Sequence, residues 1–509
     1  MLSLIASRGR LLRGLAAVAF ASVGMVPMPA TATETDEIEA LKAQVGALIE
    51  QNADLSATLD TLRDDVRAAR DDARVARERT AQRPAVEAPP ASDYFTADNP
   101  LWSTPVGGNA RLQLMDASLD VIWAAGGSTA RDGELEFLQG GGHDPRQRGF
   151  SVPQVELSFQ GAVDPYLTGE VHFVYFVDTE GESRFELEEA FAQTLQLPWG
   201  LHDRGLQLEF GHFFTEFGRL NPVHPHAWDW QDQPVVLSRF FGEDGMRGPG
   251  VRLGWLLPVD WYSEIHVGAQ TAKGETMVSF MANDEVFEER PIGGRPFASG
   301  ETRNPGDLVY LLRWVNGFDL SQTLSAQVGA SGLYGSNATG SDGSTFVYGV
   351  DWVVKWTPLH TDRGWPFLKF EGEILGRRYR ADSFTGCAQG EDTEHEGCDL
   401  VALGSETLTD WGSYAQIVWG FRRGWAAGLR YEYATGSGES VGPYDGRSDD
   451  PFRDDRHRIA PMLVFHPSEY ARIRLQYNYD RFDHSPESAA HSVWLGVEFS
   501  MGAHAAHAY

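Results

Sequence analysis

The chain has 509 residues and a formal net charge of −30, from 72 acidic against 42 basic side chains. That balance excludes nucleic acid as a partner of the whole chain, and the length exceeds that of one ordinary soluble domain. Glycine (55) and tryptophan (15) are abundant and aromatics reach 12%, a composition that suits a soluble β protein or a transmembrane barrel, whose strands need an apolar residue only at every second position.

The first residues read as a processing signal. Arg8, Arg10 and Arg13 precede the apolar run "GLAAVAFASVGMV" and the small-residue stretch "ATA" at 30–32, so a secretory signal peptide over 1–32 is expected. The apolar run is too short to cross a bilayer as a helix. No cysteine stands directly after the expected cleavage point, which argues against a lipoprotein.

Residues 33–82 follow a different period. Ile38, Leu41, Val45, Leu48, Asn52, Leu55, Leu59, Leu62, Val66, Ala69, Ala73 and Ala76 alternate in steps of three and four, which predicts a periplasmic coiled coil. Asn52 falls on an a position, where a buried amide fixes register and partner number. Alanines on the last heptads predict fraying there. A linker over 83–106 follows, stiffened by Pro84, Pro89 and Pro90.

From 107 to 509 the period becomes two. Sixteen strands are predicted, at 111–124, 150–163, 166–177, 184–197, 206–218, 248–257, 262–273, 308–318, 320–335, 345–358, 366–380, 408–421, 425–436, 455–466, 470–482 and 490–502. Short connections alternate with mostly longer ones at 125–149, 219–247, 274–307, 381–407 and 437–454. An even number of long antiparallel strands, with short turns at one end and long loops at the other, predicts an all-β transmembrane barrel. In "ARIRLQYNYD" the apolar Ile473, Leu475, Tyr477 and Tyr479 alternate with Arg472, Arg474, Gln476 and Asn478, one face for lipid and one for water. Lipid cannot satisfy open backbone, so the sheet must close. Sixteen strands enclose an aqueous channel.

Glu156, Glu170, Glu209 and Glu264, joined by His172 and His266, fall on inward positions of the first half. The second half mixes Lys369 with Glu371 and Glu373 and adds Arg430, Arg472 and Arg474, which makes it the more basic wall. An acidic wall facing a basic one orders water and favours hydrated polar solutes, with a weak lean to cations. No dense Arg/Lys array of the kind a phosphate-selective pore needs is present. No nucleotide-binding loop, zinc-protease motif or nucleophile elbow appears, so no enzyme is expected and no cofactor is required.

The loop at 219–247 is rich in Pro, Trp and charge. It resembles the infolded loop of general porins, which makes His224, His226, Trp228, Asp229, Asp232, Arg239 and Glu243 candidates for the pore constriction. His212, His224 and His226 have ligand types that suit zinc, with Glu216 or Asp229 in support. The alternative is that these histidines cap and wedge the loop. Cys387 and Cys398 bracket an acidic, turn-like stretch and are expected to form a local disulfide outside the cytoplasm.

The segments "FFTEFGRLNPVHPHAWDWQDQPVVLSRFFGEDGMRGPGVRLGWLLP" (213–258), "RIRLQYNYD" (472–480) and the ending "VEFSMGAHAAHAY" resemble a bacterial outer-membrane family with an N-terminal coiled coil and a porin-type barrel. Its members are often labelled zinc-regulated TonB-dependent outer-membrane receptors, and the barrel is similar to phosphate-selective-type porins. The resemblance covers roughly 93–509. It implies zinc-linked regulation or transport. True receptors of that kind have about 22 strands and a plug domain, for which the segment between signal and barrel has no room.

The expected function is therefore passive diffusion of small polar solutes or ions across the outer membrane of a Gram-negative bacterium. The alternatives are metal-linked uptake and a structural tether between outer membrane and periplasm. Self-association is expected, as a homotrimer by barrel size or a dimer by the Asn52 coil, with outer-membrane lipid as the other partner.

Overall fold

The computed structural model describes residues 103–107, 110–113, 115–298, 300–387 and 400–502. The chain divides into units 1–96 and 97–509, and the description concerns the second. The expected signal peptide, coiled coil and most of the linker lie outside the described residues, as does Cys398 of the expected disulfide.

Alternating side chains make the barrel strands. They are β1 (Met115–Ser128), β2 (Gly149–Ala162), β3 (Leu167–Val177), β4 (Ser183–Thr194), β5 (Leu206–Phe214), β6 (Arg247–Leu256), β7 (Tyr262–Thr271) and β8 (Leu308–Ser321). The second half consists of β9 (Leu324–Ser336), β10 (Ser344–Trp356), β11 (Phe367–Ala381), β12 (Glu406–Arg422), β13 (Trp425–Ser437), β14 (Arg456–Ser468), β15 (Ala471–Arg481) and β16 (Ala489–Gly502). Each pairs antiparallel with its sequence neighbour, and β16 returns to β1 through pairs such as Val497 with Trp123, closing the barrel. All sixteen predicted strands are present. The largest departures are β1, which runs from Met115 to Ser128 rather than 111–124, β5, which stops at Phe214 rather than 218, and β9, which starts at Leu324 rather than 320.

The outer face carries an apolar band. Leu312 (59% exposed) and Trp314 (51%) on β8 face away from the lumen, while their neighbours Leu311 and Arg313 are buried inside. Tyr310, Tyr334, Tyr348 and Trp411 mark the long-loop rim, and Trp255, Trp356, Trp419 and Tyr470 the short-turn rim. An outward apolar belt between two aromatic girdles is the surface of a barrel that crosses a bilayer. No described helix is long and apolar enough to cross one.

The core lies inside the barrel. Phe217, Leu220, Trp228, Val236, Leu237, Phe240, Phe241, Met277 and Phe280 come from long loops and pack against Val309, Leu311, Leu333, Val347 and Leu375 of the inner wall. This explains why "LVYLLRWV" at the start of β8 is apolar on both faces: one meets lipid, the other meets infolded loops. Three short helices brace the filling: α1 (Asp132–Leu138), α2 (Val235–Phe241) and α3 (Asp284–Glu289). Leu135 and Leu138 of α1 pack on Trp494 of β16.

Candidate channel constriction

The segment between β5 and β6 enters the lumen through a neck closed by Asn221. Its amide donates to the carbonyls of Thr215 (2.7 Å) and Met246 (3.1 Å), and its oxygen accepts from the Met246 amide (2.8 Å). Just inside, Gly218 adopts a φ of +64°, and a Cβ there would lie 2.0 Å from Glu373 Oε2, so any other residue would strain the backbone and displace that carboxylate. Arg219 pairs with Glu371 (2.6 Å), and the Leu220 amide donates to Glu373 (2.9 Å).

The loop then crosses to the opposite wall. Arg474 Nη1 donates to the carbonyls of Trp228 (3.0 Å) and Trp230 (2.8 Å), and Arg472 to those of Trp228 (2.9 Å) and His226 (2.6 Å). The Trp230 indole donates to Ala460 (2.9 Å), in space left open by Gly428, where a Cβ would stand 2.9 Å from the ring. Asp232 is fully buried between Arg430 and Arg458 (2.9 Å) and also accepts from Gln476 (2.8 Å) and Asn478 (2.6 Å). Burial alone would raise the Asp232 carboxyl, but the two guanidiniums outweigh it and hold it at about 2. Arg239 of α2 is tied to Asp454 in the loop before β14.

Most predicted constriction residues thus fasten the loop to the wall. Trp228 is buried and donates to Val223 (2.7 Å), Asp229 pairs with Lys369 (2.6 Å), and Asp232 and Arg239 are enclosed. Glu243 sits at the outer mouth with Arg146 (2.7 Å). Arg430, Arg472 and Arg474, predicted as free lumen charge, take part in the same fastening. The basic wall is covered by the loop.

The acidic wall is not. A cavity of about 360 Å³ runs along β1–β6, lined by Asp116, Asp120, Glu156, Glu170, Glu189, Glu209 and Glu216, and by His172, His224, His226 and Arg252. Asp116 lies at the start of β1 and Gln160 near the end of β2, just before the short turn that leads into β3, so this vestibule belongs to the short-turn side. A second, small cavity of about 10 Å³ lies on the other side of Val223 and Phe214, between His143, Glu188 and Asp244. Glu209 pairs with Arg252 (2.8 Å), Glu264 accepts from the Tyr262 hydroxyl (2.6 Å), and Glu170 accepts from Gln160.

At the neck of the vestibule the loop brings His224 and His226 onto the wall. His226 Nδ1 lies 2.8 Å from Glu156 Oε2, and His224 Nδ1 lies 3.2 Å from Glu156 Oε1 and 3.0 Å from Glu188 Oε2. His224 Nε2 faces Glu189 Oε2 at 3.0 Å. Burial by itself would lower both histidines. The carboxylates win: Glu156 and Glu188 hold His224 well above the usual range, and Glu156 raises His226. His172 joins them, its Nδ1 3.1 Å from Glu156 Oε1.

Two parts of this site lay beyond the alternation rule. Glu188 and Glu189 are consecutive yet both buried, because β4 bulges there: His172 pairs with Glu189 and Phe173 with Leu187, leaving Glu188 unpaired. A bulge inserts one residue and re-aims its neighbours. His212, by contrast, stands apart from His224 and His226. It shares strand parity with Phe210, whose ring is 40% exposed on the outer face, and the ligand atoms within 4.8 Å of one another come instead from Glu156, His172 and His224.

Fold and lumen together define a sixteen-stranded transmembrane barrel of porin type, with one loop folded through it. The chain is 30% identical over 420 residues to an uncharacterized protein of Aquifex aeolicus (strain VF5), spanning 78% of this chain and 80% of that one, and it belongs to the same family. No family model matches, so the receptor label implied by the resemblance has no support. Among solved structures, the outer membrane channel DcaP of Acinetobacter baumannii aligns with 11% identity and a TM-score of 0.44 over 76% of this chain and 96% of that one. OprB of Pseudomonas putida aligns with 10% identity and 0.44 (76% and 94%), and an anion-selective porin from Comamonas acidovorans with 8% and 0.41 (76% and 99%).

Proposed function

We propose that the protein is a passive channel in the outer membrane of a Gram-negative bacterium, admitting small polar solutes along its acidic wall and preferring cations. The periplasm then lies on the short-turn side. One observation carries the reading: seven carboxylates line the vestibule, and Arg252 is the only permanently cationic side chain among the lining residues. Within low-dielectric walls such a lining concentrates cations and repels anions. The loop supports the same reading by covering Arg430, Arg472 and Arg474, which would otherwise oppose it. Reversal potentials of the full chain in planar bilayers under a salt gradient test it. Cation preference is expected, reduced in Glu170→Gln/Glu209→Gln. Anion preference would overturn the selectivity, and a protein that never conducts would instead favour the tether.

A further inference from the structure

The cluster at the vestibule neck has the geometry of a metal site. Glu156 Oε1 lies 3.1 Å from His172 Nδ1 and 3.2 Å from His224 Nδ1, and the latter lies 3.0 Å from Glu188 Oε2. Four ligands at the usual 2.0–2.1 Å from a tetrahedral ion are separated from one another by about 3.3–3.4 Å. Three edges of such a shell are thus nearly in place: Glu156, His172 and His224 offer ligand atoms within 4.8 Å of one another, and Glu188 stands beside His224.

The surroundings fit as well. Ligating histidines characteristically turn their other ring nitrogen to a carboxylate, which fixes tautomer and orientation. Here His224 Nε2 faces Glu189 (3.0 Å) and His172 Nε2 faces Glu170 (3.7 Å). His224 Nδ1 and Glu188 Oε2 are buried and close, yet neither completes a hydrogen bond of acceptable angle. Two polar atoms left in that state inside a barrel have a cost unless something else engages them.

We propose that Glu156, His172, His224 and Glu188 bind one divalent ion of the class that takes imidazole and carboxylate together, such as Zn²⁺, at the neck of the channel. The four side chains come from β2, β3, the infolded loop and β4, so the ion would join the loop to three strands. The bland alternative is a charge network in which imidazolium neutralises carboxylate without any metal. The site does not depend on conduction; its effect on current rests on the channel reading.

Calorimetric titration of the detergent-solubilised full chain with Zn²⁺ separates these. One tight site is expected, weakened at least tenfold in Glu188→Gln and in His172→Ala. Glu188→Gln is nearly isosteric and guards against a variant that misfolds. Co²⁺ gives a second readout: intense tetrahedral visible absorption in the parent protein, lost in both variants. Equal Zn²⁺ affinity in all three proteins, or no such absorption in the parent, would overturn the site. Conductance with and without Zn²⁺, each protein normalised to its own metal-free current, distinguishes the two proposals. Zinc binding by a protein that never conducts would sink the channel and leave the site standing, and conduction without zinc binding would do the reverse.

Discussion

Asp144 and Asp232 lie on different loops and respond to pH from opposite sides. Asp144 accepts from the amides of Gly141 (2.9 Å) and Gln233 (2.8 Å), but burial first, and then the charge of Asp232, push it up to about 7. An unfolded aspartate titrates near about 3.9. Between that value and 7 the folded chain keeps a proton the unfolded chain has lost, so this contact weakens as pH rises through the window. Asp232, held at about 2, works the other way: its stabilisation is present above the unfolded value and is lost as pH falls toward 2. Hydrogen exchange of residues 139–146, corrected for intrinsic rates, should therefore lose protection between about pH 4 and 7 in the parent and stay level in Asp144→Asn. The same slope in both proteins would assign the effect to another group. At this scale the sequence was a partial guide. His224, His226 and Glu156 could be read from residue type and strand parity, whereas Glu188 could not, because a bulge is a backbone event with no signature in alternation.

The infolded loop shows what can be read of an element. Its length and its Pro and Trp content are enough to mark it as a lumen loop. Its role for each charge does not follow, since whether Asp232 or Arg430 faces solute or partner depends on docking across some 200 residues of chain. The pairing is the loop's main anchor. Removing one partner of a buried pair costs about 3–5 kcal/mol because the other charge is left uncompensated. Here Arg430 keeps Glu432 (2.7 Å) and Arg458 keeps Asp480 (2.8 Å), so Asp232→Asn belongs at the low end of that range. The variant should unfold at lower denaturant, and residues 228–235 should exchange faster than the strands. Unchanged exchange in that segment would show that the remaining ties, Arg472, Arg474 and Lys369 among them, suffice to hold the loop.

At the scale of the molecule, the strand count, the closure and the side bearing short turns were all legible, because bilayer physics leaves so few alternatives. The internal hydrophobic core was not. A strand apolar on both faces reads as ambiguous until the loops that cover its inner face are placed. Assembly beyond one chain is a separate matter. A homotrimer is the expected state, and native mass spectrometry of detergent-extracted protein should return three chains. Two chains would point instead to the dimer suggested by Asn52.

The loop leaves the sheet after β5 but is fastened mostly to β11–β15, through contacts at sequence separations of 138 to 246 residues. Such contacts form late, after the chain between them has been ordered. Asp232 meets Arg430, Arg458, Gln476 and Asn478 together only when β13, β14 and β15 stand in register. A sheet closed one strand short, or slipped by one residue, presents the wrong faces and leaves that carboxylate stranded. Seating of the loop is thus conditional on a sheet closed in the right register, and the infolded carboxylate rewards that closure alone.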